Sequence, residues 1–356
     1  MLHLGIDLGG TKIESALCGA AIDHPLWRKR EATLTTGGPE ALIGQLADRI
    51  LQTQQEAGDG LTIGLGLPGS IDPASGMVRN CVMPWLDGIP LPQALAERAG
   101  QPVAVVNDAQ AFALSEAHFG AGRGARTVLG VTIGTGVGGG WVIDGRLHSG
   151  RHGIAGEIGH FTLDRDGRAC YCGRTGCVEQ YLSGTALERR YEELSGLPLP
   201  LWDIAREAEH GNLDAETVMQ ELFAAFGQTI GSLINIYDPD VIVIGGGVSD
   251  VKGLFSDGIA AVARQAMAAP LTTRIVPAQL GRRPGCLGLR WSARRPRPTF
   301  TDGSRQAARF HRRFWPEVRE TDLHLSGLRP APPNSSADLV RSDCLEETLE
   351  RLGERL

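Results

Sequence analysis

One imidazole and three thiols fall within 18 residues, as His160, Cys170, Cys172 and Cys177. That donor set matches a closed tetrahedral Zn²⁺ site of the Cys₃His type, which leaves no open position, so a metal there is expected to be structural. The residues between the cysteines include Gly, Arg and Thr, a poor setting for buried free thiols. A metal would fasten a loop that has no core of its own. Glu157 stands three residues before His160 and Glu179 two after Cys177. Tied to such a loop, both carboxylates would be rigid enough to grip hydroxyl groups. On local sequence alone, a solvated surface acid is the simpler reading of each.

Two glycine-rich turns follow apolar runs. In Asp7-Leu8-Gly9-Gly10-Thr11-Lys12 the glycines leave backbone N–H groups open to phosphate oxygens, Thr11 adds a hydroxyl, and Asp7 is placed to hold Mg²⁺ through water. An ordinary hairpin turn would look much the same. Gly134-Thr135-Gly136-Val137-Gly138-Gly139-Gly140 is more demanding, because five glycines in seven residues weaken a strand unless something needs the space. A ligand is the expected occupant. A returning strand rather than a helix follows, which excludes a dinucleotide fingerprint. Two phosphate-type turns imply a nucleotide held across a cleft. Asn107-Asp108 ends a buried strand just before a helix. A carboxylate there suits a general base for phosphoryl transfer, but an Asp at that place also serves as a simple helix cap.

These groups need a scaffold, and the pattern is strand, turn, helix. Strands are expected at 2–8, 11–18, 61–67, 102–106, 127–133, 141–147, 241–244 and 273–277, with 134–140 a glycine turn. Helices are expected at 39–57, 91–99, 109–119, within 184–236, and at 251–268. The hairpin of apolar strand, glycine turn and strand recurs about 125 residues on, which suggests two related α/β domains.

Length and composition agree. At roughly 150 residues per domain, 356 residues make about two domains, and 42% hydrophobic with 21% charged residues is globular. Seven cysteines, an odd number in a chain this long, make no disulfide framework. No run approaches the ~20 apolar residues of a membrane span, and residues 1–20 hold no signal peptide, so a cytoplasmic enzyme with no membrane partner is expected. Residues 281–356 carry 15 Arg, no Lys and 10 acidic groups, leaving 20 basic and 31 acidic groups in residues 1–280. A body of net charge −11 makes nucleic acid an unexpected partner.

The segments DLGGTK (7–12), NDAQAFALSEA (107–117), IGTGVGGG (133–140), AGEIGH (155–160), CYCGRTGCVE (170–179) and DPDVIVIGGG (238–247) stand in the order of the ROK sugar kinases, and residues 2 to about 280 resemble that family. The resemblance implies a two-domain actin-like ATPase fold of the hexokinase and ribonuclease H type, with an interdomain cleft. The domains would be 1–118 and 119–280, the second with a zinc loop at 157–179. It implies ATP-dependent phosphorylation of a hexose, at C6, with Mg²⁺ and structural Zn²⁺, by a homodimer. Asp108 would be the catalytic base and Asn107 would hold the neighbouring hydroxyl. Glu157, His160 and Glu179 would bind ring hydroxyls, His160 using its second nitrogen, and Gly69 would lie against the sugar. Asp7, Gly9, Gly10, Thr11 and Lys12 with Gly134, Thr135 and Gly136 would hold the ATP phosphates and their metal. Gly245, Gly246 and Gly247 would lie near the adenosine.

VRNCVMPWLDGIPL (78–91) resembles the fructokinase and mannokinase branch, which favours fructose or mannose over N-acetylglucosamine or glucose. The family's repressors carry a helix-turn-helix domain before the first strand, and here that strand begins at residue 2. The tail departs from the family. Residues 281–290 keep a glycine spacing, but Arg282 stands where Asp is expected and Pro284 would break a helix. With its Arg and Pro and lack of Lys, the tail looks like the product of a reading-frame shift near codon 281, or else a lineage-specific disordered tail. It is expected to be poorly ordered, with Leu345, Leu349, Leu352 and Leu356 on one helical face. Loss of a closing helix would weaken ATP binding and leave a catalytically impaired sugar-binding protein as the reading from another class.

Overall fold

The computed structural model describes residues 2–19, 25–58 and 60–280, which belong to one compact unit. Everything expected of residues 281–356 lies outside the described residues.

The strands in chain order are β1 (His3–Leu8), β2 (Lys12–Cys18), β3 (Trp27–Ala32), β4 (Thr62–Leu67), β5 (Ser70–Ile71), β6 (Val78–Arg79), β7 (Val103–Asn107), β8 (Thr127–Ile133), β9 (Val137–Ile143), β10 (Arg146–His148), β11 (Val241–Gly245) and β12 (Arg274–Pro277). The helices are α1 (Gly38–Ala57), α2 (Leu91–Ala99), α3 (Asp108–Phe119), α4 (Glu179–Leu182), α5 (Gly184–Ser195), α6 (Leu201–Glu209), α7 (Leu213–Tyr237) and α8 (Ile259–Gln265).

Two five-stranded sheets share one topology. The first runs β3-β2-β1-β4-β7 and the second β10-β9-β8-β11-β12. In each, an antiparallel meander of three strands joins two parallel strands. The two glycine turns therefore occupy equivalent places, between the first and second strands of each meander.

Apolar alternation makes these sheets two-faced. Leu4, Ile6 and Leu8 of β1 and Ile63, Leu65 and Leu67 of β4 bury against Leu42, Leu46 and Ile50 of α1. In the second sheet Leu129, Val131, Ile242 and Ile244 meet Leu222, Phe226 and Ile230 of α7, while Val128, Val142 and Val243 meet Phe112 and Leu114 of α3. Each fully buried side chain of this kind contributes about 1.5–3 kcal/mol.

The glycine run departs from expectation. The turn is confined to Gly134–Gly136, and Gly138, Gly139 and Gly140 lie within β9, paired with Thr132, Val131 and Gly130. The space they leave is filled by protein. A Cβ on Gly140 would lie 2.7 Å from Gln110 Cα and from Ala113 Cβ, and one on Gly138 would lie 2.9 Å from Ala109 Cβ. On the opposite face Gly139 lies against the Gly156 carbonyl. Helix α3 thus rests on backbone. By its packing α3 goes with the second sheet, and we propose the boundary of a two-lobed division before it rather than after residue 118.

Smaller differences have local causes. β3 was not expected, since WRKREA alternates half-buried with exposed positions, as an edge strand does. The regular helix near the end is shorter than expected because a wide turn at Leu254–Gly258 precedes α8.

Candidate active site

β4 and β7 run parallel with Leu67 beside Asn107, so the Gly69 turn and the start of α3 emerge side by side. A helix leaves its first N–H groups without intrahelical partners. Here Asn107 supplies the cap: its Oδ1 accepts from Ala109 N–H at 3.0 Å and Gln110 N–H at 3.2 Å, and its Nδ2 donates to the Gly69 carbonyl at 3.0 Å. This corrects the alternative in which Asp108 caps the helix. Asp108 is instead the first helical residue. Its Oδ1 accepts the Ala109 N–H at 2.8 Å, and its side chain remains open to solvent at the mouth of the sheet. Enough protein surrounds it that desolvation holds its pKa above the usual carboxylate value. Gly69 is required by close approach, because a Cβ there would lie 2.9 Å from Cys81 Cα. The Cys81 thiol is pushed up to about 11, chiefly by burial, with the charges of Asp87 and Asp108 adding to it.

The loop after β10 brings Glu157 and His160 toward this carboxylate. Burial raises the Glu157 pKa; His160 opposes the shift, and the charges of Asp108 and Glu179 add to it. His160, Asp108 and Glu179 each therefore lie within electrostatic reach of Glu157. Glu179 is buried, at 8% exposure, and its Oε2 accepts the Val137 N–H at 2.9 Å, so it touches the second glycine turn. The ligand atoms of His160, Cys170, Cys172 and Cys177 all lie within 4.8 Å of one another. His160 Nδ1 is 3.8 Å from Cys170 Sγ, and the sulfurs of Cys172 and Cys177 are 3.6 Å apart. The other nitrogen of His160, expected to meet sugar, hydrogen-bonds the Tyr171 hydroxyl at 3.2 Å.

The glycine turns are braced from behind. Gly9 N–H donates to the Lys12 carbonyl at 2.9 Å, and Thr33 Oγ1 donates to the Gly9 carbonyl at 2.7 Å. Asp7 lies at the end of β1, beside Gly66, Gly10 has open space where a Cβ would stand, and Thr11 is exposed. In the second sheet Gly134 N–H donates to the Gly136 carbonyl, while Gly184 N–H and Thr185 Oγ1 donate to the carbonyls of Gly134 and Thr135. Gly246, at φ 86°, lies against the Ile133 backbone, and Gly247 N stands 4.0 Å from where a Gly134 Cβ would be. The turn at Gly246 and Gly247, which follows Gly245 at the end of β11, thus abuts the Gly134 turn.

Two supporting residues escaped the sequence reading. Thr33 follows the unexpected β3, and nothing local marks it. Glu116 is fully buried in α3 and accepts the N–H groups of Ala121, Gln279 and Leu280. A lone acid inside the apolar stretch 109–117 was the available signal.

A model of the ROK family matches residues 3–295. The chain belongs to the ROK family. It is 34% identical over 264 residues to an N-acetyl-D-glucosamine kinase of Pectobacterium carotovorum, covering 71% of this chain and 86% of that protein. It is 36% identical over 265 residues to a glucokinase of Thermotoga maritima, covering 69% and 82%. Among solved structures it resembles a ROK glucokinase of Streptomyces griseus in complex with glucose and AMPPNP, with a TM-score of 0.68, 31% identity and coverage of 83% and 99%. The paired sheets of this ROK protein form the actin-like ATPase fold. No described helix is long and apolar enough to cross a membrane.

Proposed function

We propose that this ROK protein is an ATP-dependent hexose kinase that transfers a phosphoryl group to a sugar hydroxyl, at C6. The observation that carries the reading is the Asn107–Asp108 junction, where one side chain takes the helix cap and the next keeps a carboxylate facing solvent, within electrostatic reach of Glu157. Asp108 accepts the proton of the attacking hydroxyl, the sugar oxygen bonds the terminal phosphorus of ATP, and ADP leaves. Glu157, His160 and Glu179 hold the ring hydroxyls, and Gly69 and the second Nδ2 hydrogen of Asn107 face the same sugar. The turns at Gly9–Lys12 and Gly134–Gly136 offer N–H groups and the Thr11 and Thr135 hydroxyls to the phosphates, with Gly245–Gly247 near the adenosine. Mg²⁺, held with the help of Asp7, supplies charge neutralisation when bound. Positioning and charge neutralisation carry most of such a reaction.

We assign the His160, Cys170, Cys172 and Cys177 cluster to structural Zn²⁺. Zn–S bonds of 2.3 Å at tetrahedral angles put sulfurs about 3.8 Å apart, close to the 3.6 Å between Cys172 and Cys177. The metal would hold Glu157 and Glu179 in place.

For the substrate, the 78–91 segment favours fructose or mannose, while the names of the relatives favour glucose or an N-acetylated hexose. The test is ATP-to-ADP turnover with Mg²⁺ on fructose, mannose, glucose, N-acetylglucosamine and N-acetylmannosamine, with Asp108→Asn as control. Turnover that vanishes in the control supports the kinase and the base. Folded, zinc-loaded protein that turns over no sugar would overturn it in favour of a binding-only protein. Light scattering on the same sample tests the expected dimer.

A further inference from the structure

Gln110 lies two residues after Asp108 and is buried, at 3% exposure. Its backbone N–H is one of the two that Asn107 caps. Its side-chain Nε2 carries two hydrogens and donates to two carbonyls, Gly153 at 3.2 Å and Ala155 at 3.1 Å. Those carbonyls precede Glu157 by four and two residues. The loop is also held by its backbone: Ala155 N–H donates to the Ser149 carbonyl at 3.1 Å and Glu157 N–H to the Ile154 carbonyl at 3.2 Å, with Gly153 (φ 77°) close to the Ile71 carbonyl and Gly156 (φ 106°) close to Gly139. One line of bonds therefore runs from the Gly69 carbonyl through Asn107 to Gln110, and from Gln110 to the segment that ends in Glu157.

We infer that Gln110 is a positioning residue that sets the distance between the base Asp108 and the sugar-holding pair Glu157 and His160. It does so by fastening the 153–157 segment to the helix that Asp108 begins. The inference rests on the sugar-site reading given under Proposed function. A carboxamide is suited to this place because both loop groups are acceptors. A carboxylate would set acceptor against acceptor, and an apolar side chain would leave two carbonyls without donors. Helix α3 itself would stay in place, since it rests on Gly130, Gly138 and Gly140 through backbone and Cβ atoms, not through the Gln110 carboxamide.

The test compares the full chain with Gln110→Met, which keeps bulk and loses both donors, and Gln110→Asn, which keeps the amide but is one methylene shorter. The readouts are KM for sugar, KM for ATP, kcat, and hydrogen exchange of residues 150–158. The expected result is a sugar KM raised by about ten- to a hundredfold in Gln110→Met and less in Gln110→Asn. The ATP KM should stay within about twofold, and exchange should quicken in 150–158 but not in β1 or β8. An unchanged sugar KM in either folded variant, or an equal rise in both KM values, overturns the proposal. If Gln110→Met does not fold, Gln110→Asn decides by the same criteria. If the wild-type chain phosphorylates no sugar, the functional reading falls and this inference falls with it. If the wild type turns over and the variants match it, this inference alone falls.

Discussion

The buried carboxylate of Glu179 accepts the backbone N–H of Val137 at 2.9 Å, joining the residue two places after Cys177 to the strand that leaves the second glycine turn. A group that binds sugar in our reading is thus also a brace for a phosphate turn. In Glu179→Gln the amide oxygen still accepts the Val137 N–H, so only the sugar KM should rise, by about tenfold. In Glu179→Ala both the sugar and the ATP KM should rise, because the turn loses its acceptor as well. Steady-state kinetics with each substrate varied in turn separates the two patterns.

Asp108→Asn should lower kcat by about 10²–10⁴, the usual contribution of a general base, with little change in either KM. Single-turnover measurement with saturating ATP and sugar checks it. A loss confined to KM would remove Asp108 from the proton transfer.

The same residue links stability to pH. Its folded pKa lies above its unfolded value, so between the two the folded state binds more protons than the unfolded state. Stability from this group is full below the unfolded pKa and is lost as pH rises through the folded pKa. Asp108→Asn should therefore melt slightly above the wild type at neutral pH, and the gap should close as pH falls to the ordinary carboxylate range. The acid limb of kcat/KM should likewise sit above the ordinary carboxylate range. Melting curves that stay parallel across this span would contradict the assignment.

Glycine substitutions should separate two kinds of damage. Gly246→Ala forces a Cβ into the Ile133 backbone at φ 86° and should cost about 3 kcal/mol or more, reducing folded yield. Gly140→Ala pushes on Gln110 Cα and Ala113 Cβ and should cost about 1–3 kcal/mol, lifting α3 from the sheet. Its mark should be a folded protein with kcat reduced out of proportion to its lowered melting temperature.

Zinc content is directly measurable. Elemental analysis should give one Zn²⁺ per chain, and Cys172→Ser should reduce it. A strong chelator should lower the melting temperature and raise the sugar KM before the ATP KM, because the loop carries His160 and flanks Glu157 and Glu179. A metal-free protein with unchanged melting would dismiss the site.

Much of this was legible in the residues. LHLGIDL and TVLGVTI are apolar runs closed by glycines, and they fold as β1 and β8 with turns where the glycines fall. The donor spacing of His160 and the three cysteines named a cluster that the fold assembles. What was hidden depends on neighbours far along the chain. Asn107 and Asp108 are both good caps, and the choice follows from where β7 ends relative to Gly69, which no local window contains. A glycine run says that space is needed but not by what, and at Gly138 and Gly140 a helix takes it. The charged WRKREA segment pairs as β3 only because β2 lies beside it.

A helix that rests on side chains can rock as they change rotamer; one that rests on Cα atoms cannot. Through Gly130, Gly138 and Gly140, α3 comes down on the backbone of β8 and β9, beside the contacts of Phe112 and Leu114 with Val128 and Val142. The backbone that carries Asp108 is therefore seated directly on the sheet. Warming should not blur the site gradually: the carboxylate should hold its place until β8 and β9 part, so loss of activity and loss of fold should arrive at one temperature.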